Sequence, residues 1–388
     1  MTRSKKIRII IAIICISFIQ GLQHSVTPIL GSIQSAHPDV KVSLIQMLVS
    51  GPGLAAMVMA LVSGVLVTKI SKKKLLLMAA ALAFIVGFLP MVSDSFMLLF
   101  VCRLVYGLSL GLAMCLNSAV VADFFEGNER VQVMGIQAAS VGAGMMIISA
   151  VAGALGAANY KTAYWINLIA LICFILLLVC LPDTGKVKTD KNNRITLNKE
   201  VWVLSVNGLF FFMFLITFTT NIAMHLSGRI AGNTRLTGLL TAAFSLIQIV
   251  AGFILGAFTK ICRKLTMSAA LLSFAIGALL LVLFPGSFPW LFAGALFCGF
   301  CQGVMMPTGM VKVTNAVNPV SAAMASAMFS CAVSLGSFIS PVVMNGASKL
   351  IFHDETTGHV FLLGGAGMLI LSVLTGLWNC RKKNIAEM

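Results

Sequence analysis

Apolar runs of about twenty residues follow one another almost from end to end of this chain, separated by short polar or basic connections. A run of that length matches the hydrocarbon thickness of a bilayer when wound as an α-helix. In lipid the backbone must satisfy its own hydrogen bonds, so such runs fold as helices. Only 10% of the 388 residues are charged and 59% are hydrophobic, whereas an ordinary soluble domain is about a quarter charged. The expected class is an all-α, polytopic membrane protein, and no connection is long enough to fold a soluble domain.

Twelve spans are expected, at about 7–33, 43–67, 75–92, 96–121, 131–158, 163–181, 201–226, 238–258, 265–283, 290–311, 321–347 and 360–379. The basic start (Arg3, Lys5, Lys6, Arg8) resembles a signal peptide, but the apolar run continues past Gly21 with no small-residue cleavage site, so it reads as a retained helix. With the N-terminus placed in the cytoplasm, the cytoplasmic segments collect 21 Lys and Arg, the outer segments five, and Arg103 lies within a span. That asymmetry puts both termini inside. The net charge of +16 is then topological and implies no nucleic-acid partner.

The chain also reads as one unit written twice. The turn Thr68-Lys69-Ile70-Ser71-Lys72-Lys73 returns as Thr259-Lys260-Ile261-Cys262-Arg263-Lys264, and Gly107 and Gly111 answer to Gly299 and Gly303. Gly144 and Ser149 answer in the same way to Gly336 and Pro341. Repeats of this kind are common in secondary transporters. The expected organisation is an N-terminal six-helix bundle (1–181), a cytoplasmic basic linker (182–200) and a C-terminal six-helix bundle (201–388).

This pattern resembles the major facilitator superfamily over essentially the whole chain. The stretch from Gly64 through Thr68 and Lys69 to Lys72 and Lys73 is similar to its loop motif Gly-x-Leu-Ala-Asp-Arg-x-Gly-Arg-Arg, with Thr68 in place of the Asp and Ser71 in place of the second Gly. In the family this loop helps gate the cytoplasmic side, a role the resemblance extends to Gly64, Thr68, Lys69, Lys72 and Lys73. Arg103 to Gly111 resembles the fourth-span motif Arg-x-x-Gln-Gly-x-Gly, with Tyr106 for the Gln. Gly144 to Gly153 is faintly similar to the fifth-span antiporter motif, with Ile148-Ser149 at its central Gly-Pro. The general flavour is that of the twelve-span drug and small-organic exporters of bacterial cytoplasmic membranes. The resemblance implies two pseudo-symmetric bundles around a central cavity lined by spans 1, 4, 7 and 10, alternating access by rocking, and a monomer as the working unit.

All eleven Asp and Glu fall in loops, at span ends or in the tail, so a proton relay through a carboxylate buried in a span is excluded. Within the spans, His24 and Arg103 remain as coupling candidates. Counting about 1.5 Å per residue places both roughly 10–14 Å below the outer surface. His24 is the interior side chain whose charge can change near neutral pH. It is read either as a proton carrier or as a neutral group bonded within the bundle. Arg103 stays protonated, and either anchors an anionic substrate or caps carbonyls.

Helical spacing sets Gln20, His24 and Thr27 on one face of the first span, with Gln23 pointing elsewhere. It groups Arg103, Tyr106, Leu110, Met114 and Asn117 on the fourth, Asn207, Phe211, Phe214, Phe218 and Asn221 on the seventh, and Gln302 with Met306 on the tenth. Polar amides in apolar spans face protein or water rather than lipid. A mainly apolar cavity with a few amides and flexible Met suits small amphipathic organic compounds. For most single Phe and Met residues, packing against lipid or within a bundle is the simpler role. No catalytic triad, metal cluster, cofactor motif or nucleotide-binding loop is present, so the expectation is an exporting transporter, not an enzyme, driven by a gradient or by its substrate. The alternatives are an organic-anion carrier or exchanger anchored by Arg103 and a non-transporting membrane sensor or scaffold.

Overall fold

The computed structural model describes residues 3–183, 185, 198–317, 322–354 and 356–386. Most of the expected linker, 184 and 186–197, lies outside the described residues, as do Glu355 and Glu387. All regular structure described is helical: α1 (Arg3–Gly21), α2 (Leu30–Ala36), α3 (Val42–Lys69), α4 (Lys72–Phe88), α5 (Phe96–Phe124), α6 (Gly127–Leu155), α7 (Leu168–Cys180), α8 (Lys199–His225), α9 (Thr234–Cys262), α10 (Thr266–Leu283), α11 (Phe288–Asn315), α12 (Ala322–Phe352) and α13 (Thr357–Ala386), with short 3-10 turns between some of them. Helix starts carry the side chains that satisfy free backbone N–H groups. Asn198 caps α8 by accepting from Val201 N at 3.1 Å, and Asn233 caps α9 by accepting from Leu236 N at 3.1 Å.

Eleven described stretches are long and apolar enough to cross a membrane. One of them, Thr234–Leu283, has 50 residues, more than twice what a bilayer core needs. It contains α9 and α10, parted where Arg263 adopts a positive φ of 46°. The outer surface is apolar, with Leu350 81% and Ile370 61% exposed, as hydrocarbon permits and water does not.

The first span is interrupted in its second half. α1 stops at Gly21, two 3-10 turns follow (Leu22–Ser25 and Thr27–Ile29), and α2 resumes at Leu30. Pro28 has no N–H and its ring clashes with the carbonyl four residues back, which favours an opening near it. It begins after Gly21, where α1 lies close to α6: a Cβ on Gly21 would lie 2.8 Å from the Gly144 carbonyl carbon. The expected sixth span also begins as 3-10 helix (Tyr160–Asn167) before α7.

Buried apolar side chains fall into one core drawn almost wholly from 9–181 and two from 201–371. Packing repeats between them. α3 meets α5 where Cβ atoms on Gly107 and Gly111 would strike Pro52 O at 2.3 Å and Ala56 O at 2.5 Å. α9 meets α11 in the same way at Gly299, 2.2 Å from Phe244 O, and Gly303, 2.9 Å from Gln248 Cα. Small residues let these backbones approach.

The helix ends that carry the basic turns (Lys69–Lys74, Lys260–Lys264) define one end of the molecule. Away from it the two sets of helices are pressed together. A Cβ on Gly153 of α6 would lie 2.6 Å from Thr234 O and 2.8 Å from Gly238 Cα of α9. Toward the basic end the same two helices part, and Gly135, Gly252 and Gly256 meet nothing within 4 Å. Gly153→Leu is expected to cost the sealed end about 1–3 kcal/mol by overpacking, read as a longer α6–α9 distance between spin labels placed there.

Candidate functional site

A central cavity of about 210 Å³ lies between the two sets of helices, walled by α1 and its break, α3, α5 and α6 on one side and by α8, α9, α11 and α12 on the other. It shares Val141, Met145, Gln302 and Met306 with a cleft of about 510 Å³ between α6, α9 and α11, which runs toward the basic end.

Five of the expected site residues line the cavity: Gln20, His24, Met114, Gln302 and Met306. Gln20 donates to Ala113 O at 3.2 Å. His24 is 8% exposed and its Nδ1 has no partner among the described residues. Gln23, expected on another face, is part of the same wall. The reason is the break after Gly21, since 3-10 turns do not keep the α-helical spacing on which that expectation rests.

The remaining seven turn into the helix packing. Thr27 is fully buried. On α5, Leu110 and Met114 reach the cavity, whereas Arg103, Tyr106 and Asn117 face α1 and α3. Arg103 lies behind the wall: Nε donates to Leu48 O at 2.8 Å and Nη2 to Gln23 O at 2.7 Å, with the guanidinium carbon 5.1 Å from the Tyr106 ring centroid. Tyr106 OH donates to Ile19 O at 2.7 Å, and Asn117 Nδ2 donates to Ser17 Oγ at 3.0 Å.

On α8 the expected face is rotated away from the cavity. Asn207 donates to Thr375 Oγ1 of α13 at 2.8 Å, and the Phe214 ring packs where a Cβ on Gly367 would stand. The residues of α8 that do line the cavity are Phe212, Leu215, Ile216 and Thr219. The polar Asn207 finds its partner within its own half.

Asn221 belongs to a different feature. Gln46 Nε2 donates to Asn221 Oδ1 at 2.8 Å, and Asn345 Nδ2 donates to Gln46 Oε1 at 2.7 Å and to Ser43 Oγ at 3.0 Å. All three amides are at most 2% exposed. They tie α3 to α8 and α12 at the end opposite the basic turns, above the cavity. Gln46 and Asn345 stand out by the same signal as Asn221, an amide in an apolar run.

The basic loop makes its contacts within its own half. Lys72 donates to both Asp123 carboxylate oxygens at 2.7 Å, and Lys73 to Leu178 O at 2.8 Å. Thr68 turns back onto Val65 O, and Gly64 meets nothing within 4 Å. Lys69 lies on the last turn of α3. Asp183 accepts from Gly185 N and from Ser71 Oγ. The Gly185 N–H, then the Ser71 hydroxyl and the nearby Lys74 and Lys73, hold its carboxyl below the usual range.

Two sets of long apolar helices, packed by repeated glycine contacts and enclosing a cavity closed at one end, define a multi-pass membrane transporter fold. The sequence profile of the Major Facilitator Superfamily matches residues 9–227 and 203–383, and the chain belongs to that family. It is a transporter of small molecules rather than an enzyme. Among curated proteins, the quinolone resistance protein NorA of Staphylococcus aureus is 21% identical over 314 residues, covering 76% of this chain and 79% of NorA. Solved structures share the fold: the nucleoside transporter NupG (TM-score 0.77, 16% identity, 95% and 98% of the two chains) and the POT family transporter PepTSo (0.79, 9%, 97% and 98%). A D-xylose–proton symporter does so as well (0.71, 16%, 96% and 96%).

Proposed function

We propose that this chain exports small amphipathic organic compounds across a bacterial cytoplasmic membrane by alternating access, working as a monomer. The observation that carries the reading is the central cavity, sealed by Gln46, Asn221 and Asn345 at one end and continuous with the α6–α9–α11 cleft at the other. Twelve crossings with both termini in the cytoplasm are supported by the charge asymmetry of the loops and by the break at Arg263, which parts the 50-residue stretch into two helices. On that topology the cavity opens to the cytoplasm, where an exporter loads. Segments 1–181 and 201–388 are the rocking halves, joined by the linker 182–200. The separation of the buried cores supports that division. The resistance function in NorA's name favours efflux.

Coupling, where protons drive transport, runs through His24, the titratable side chain on the described cavity wall. The test is substrate flux in proteoliposomes with and without an imposed pH gradient. The gradient is expected to stimulate wild-type flux, and His24→Ala to abolish the stimulation while leaving downhill flux measurable. Stimulation that persists in His24→Ala would remove His24 as the carrier. Absence of any flux would remove the exporter reading.

A further inference from the structure

The described wall of the central cavity holds amides, hydroxyls and one imidazole, but no Asp, Glu, Lys or Arg. Gln23 and Gln302 stand on walls contributed by different halves, and neither side-chain amide has a protein partner among the described residues. Each amide offers both a donor and an acceptor. Around them are thioethers and aromatic rings, which adapt to apolar bodies of several shapes. The surrounding charge is one-sided: Arg103 is held behind the wall on Gln23 O, and no carboxylate lines the cavity to balance it.

We infer that this cavity selects electroneutral organic molecules joining an amide-like or hydroxyl head to an apolar or aromatic body, and rejects permanently charged ones. The inference deepens the transport reading above by naming the substrate class of the same site. A cation entering the cavity loses its hydration without a counter-ion and also meets the field of Arg103. The two rings on the wall offset little of this: Phe244 is stacked on Phe218 at 4.6 Å and 13° and Phe212 packs against Phe211 at 5.5 Å and 83°, and a cation–π contact returns only a small part of a cation's lost hydration. An anion feels a favourable field, yet Arg103 Nε and Nη2 are directed to Leu48 O and Gln23 O and away from the cavity. The expected order of preference is neutral, then anion, then cation.

Three probes of matched length test the order on the purified full chain: phenylbutanamide, phenylbutanoate and phenylpropyl-trimethylammonium. Equilibrium binding of the carboxamide is expected to be at least about tenfold tighter than that of the ammonium compound, with the carboxylate between them. Gln302→Glu, and independently Ser334→Asp on another part of the wall, supply the missing counter-charge and are expected to raise ammonium affinity by at least about tenfold. Equal or tighter binding of the ammonium probe by the wild type would overturn the inference. So would a failure of both acidic variants to improve it. Flux of the carboxamide probe is measured separately in proteoliposomes. The expected binding order without flux would remove the exporter reading and leave the charge rule standing.

Discussion

Gln46→Leu is expected to open the sealed end of the transporter. Gln46 is both donor to Asn221 and acceptor from Asn345, so one substitution removes two of the three side-chain hydrogen bonds by which these amides hold α3 against α8 and α12, leaving the one from Asn345 to Ser43. Leucine preserves bulk, which leaves the two partner amides buried with those bonds unmade. Each such loss costs about 1–3 kcal/mol, and the cost falls on the sealed state alone, because water satisfies the same groups when the end opens. Even the lower bound for two groups, about 2 kcal/mol, shifts the population roughly thirtyfold. Val49 lies one turn deeper on the cavity wall and is 1% exposed. A cysteine introduced there is expected to react with a membrane-impermeant maleimide, applied from outside, roughly thirtyfold faster in the Gln46→Leu background. Replacing all three amides by leucine removes the orphaned groups together, and labelling is then expected to fall back toward the Val49→Cys level. An unchanged rate in Gln46→Leu would show that the amides do not hold this end.

The helices, their approximate ends and the repeated glycine contacts are legible in the sequence because each follows from a local rule. A bilayer-length apolar run has one way to satisfy its backbone, and paired small residues mark close approach. Which side of a helix faces the cavity is harder to read. Polarity predicts that Asn207, Asn221 and Arg103 avoid lipid, and they do, but it does not distinguish water from protein as the alternative. Gln20, His24, Met114, Gln302 and Met306 are placed on the cavity wall, while Tyr106, Asn117 and Phe214 are taken up by neighbouring helices. Gln23 is misplaced because a regular helix is assumed through a stretch that two 3-10 turns interrupt. The amides of the sealed end require tertiary contacts between positions 46, 221 and 345, which a single sequence does not display.

Arg103→Met is expected to destabilise the fold strongly and to reduce transport of every substrate in proportion. The position of Arg103 explains how a cation persists in a helix interior with no acid inside a span. Pro52 lacks an N–H, so the Leu48 carbonyl four residues earlier has no helical donor. Gln23 O belongs to the 3-10 turn Leu22–Ser25 that follows the end of α1. Arg103 Nε and Nη2 donate to these two oxygens, joining α5 to both irregular backbones at once. Hydrogen bonds to charged groups contribute about 1.5–3 kcal/mol each, partly offset by the desolvation of the guanidinium. Arg103→Lys keeps the charge but not the fork, and is expected to lose about half as much stability. Pro52→Ala restores a donor to Leu48 O. In the Arg103→Met background it should therefore recover roughly one hydrogen bond, about 1 kcal/mol, read as a partial return of the thermal midpoint. The alternative role, anchoring an anionic substrate, makes the opposite prediction: Arg103→Met would melt like the parent chain and lose anion transport selectively. That result would move Arg103 from the scaffold to the substrate site.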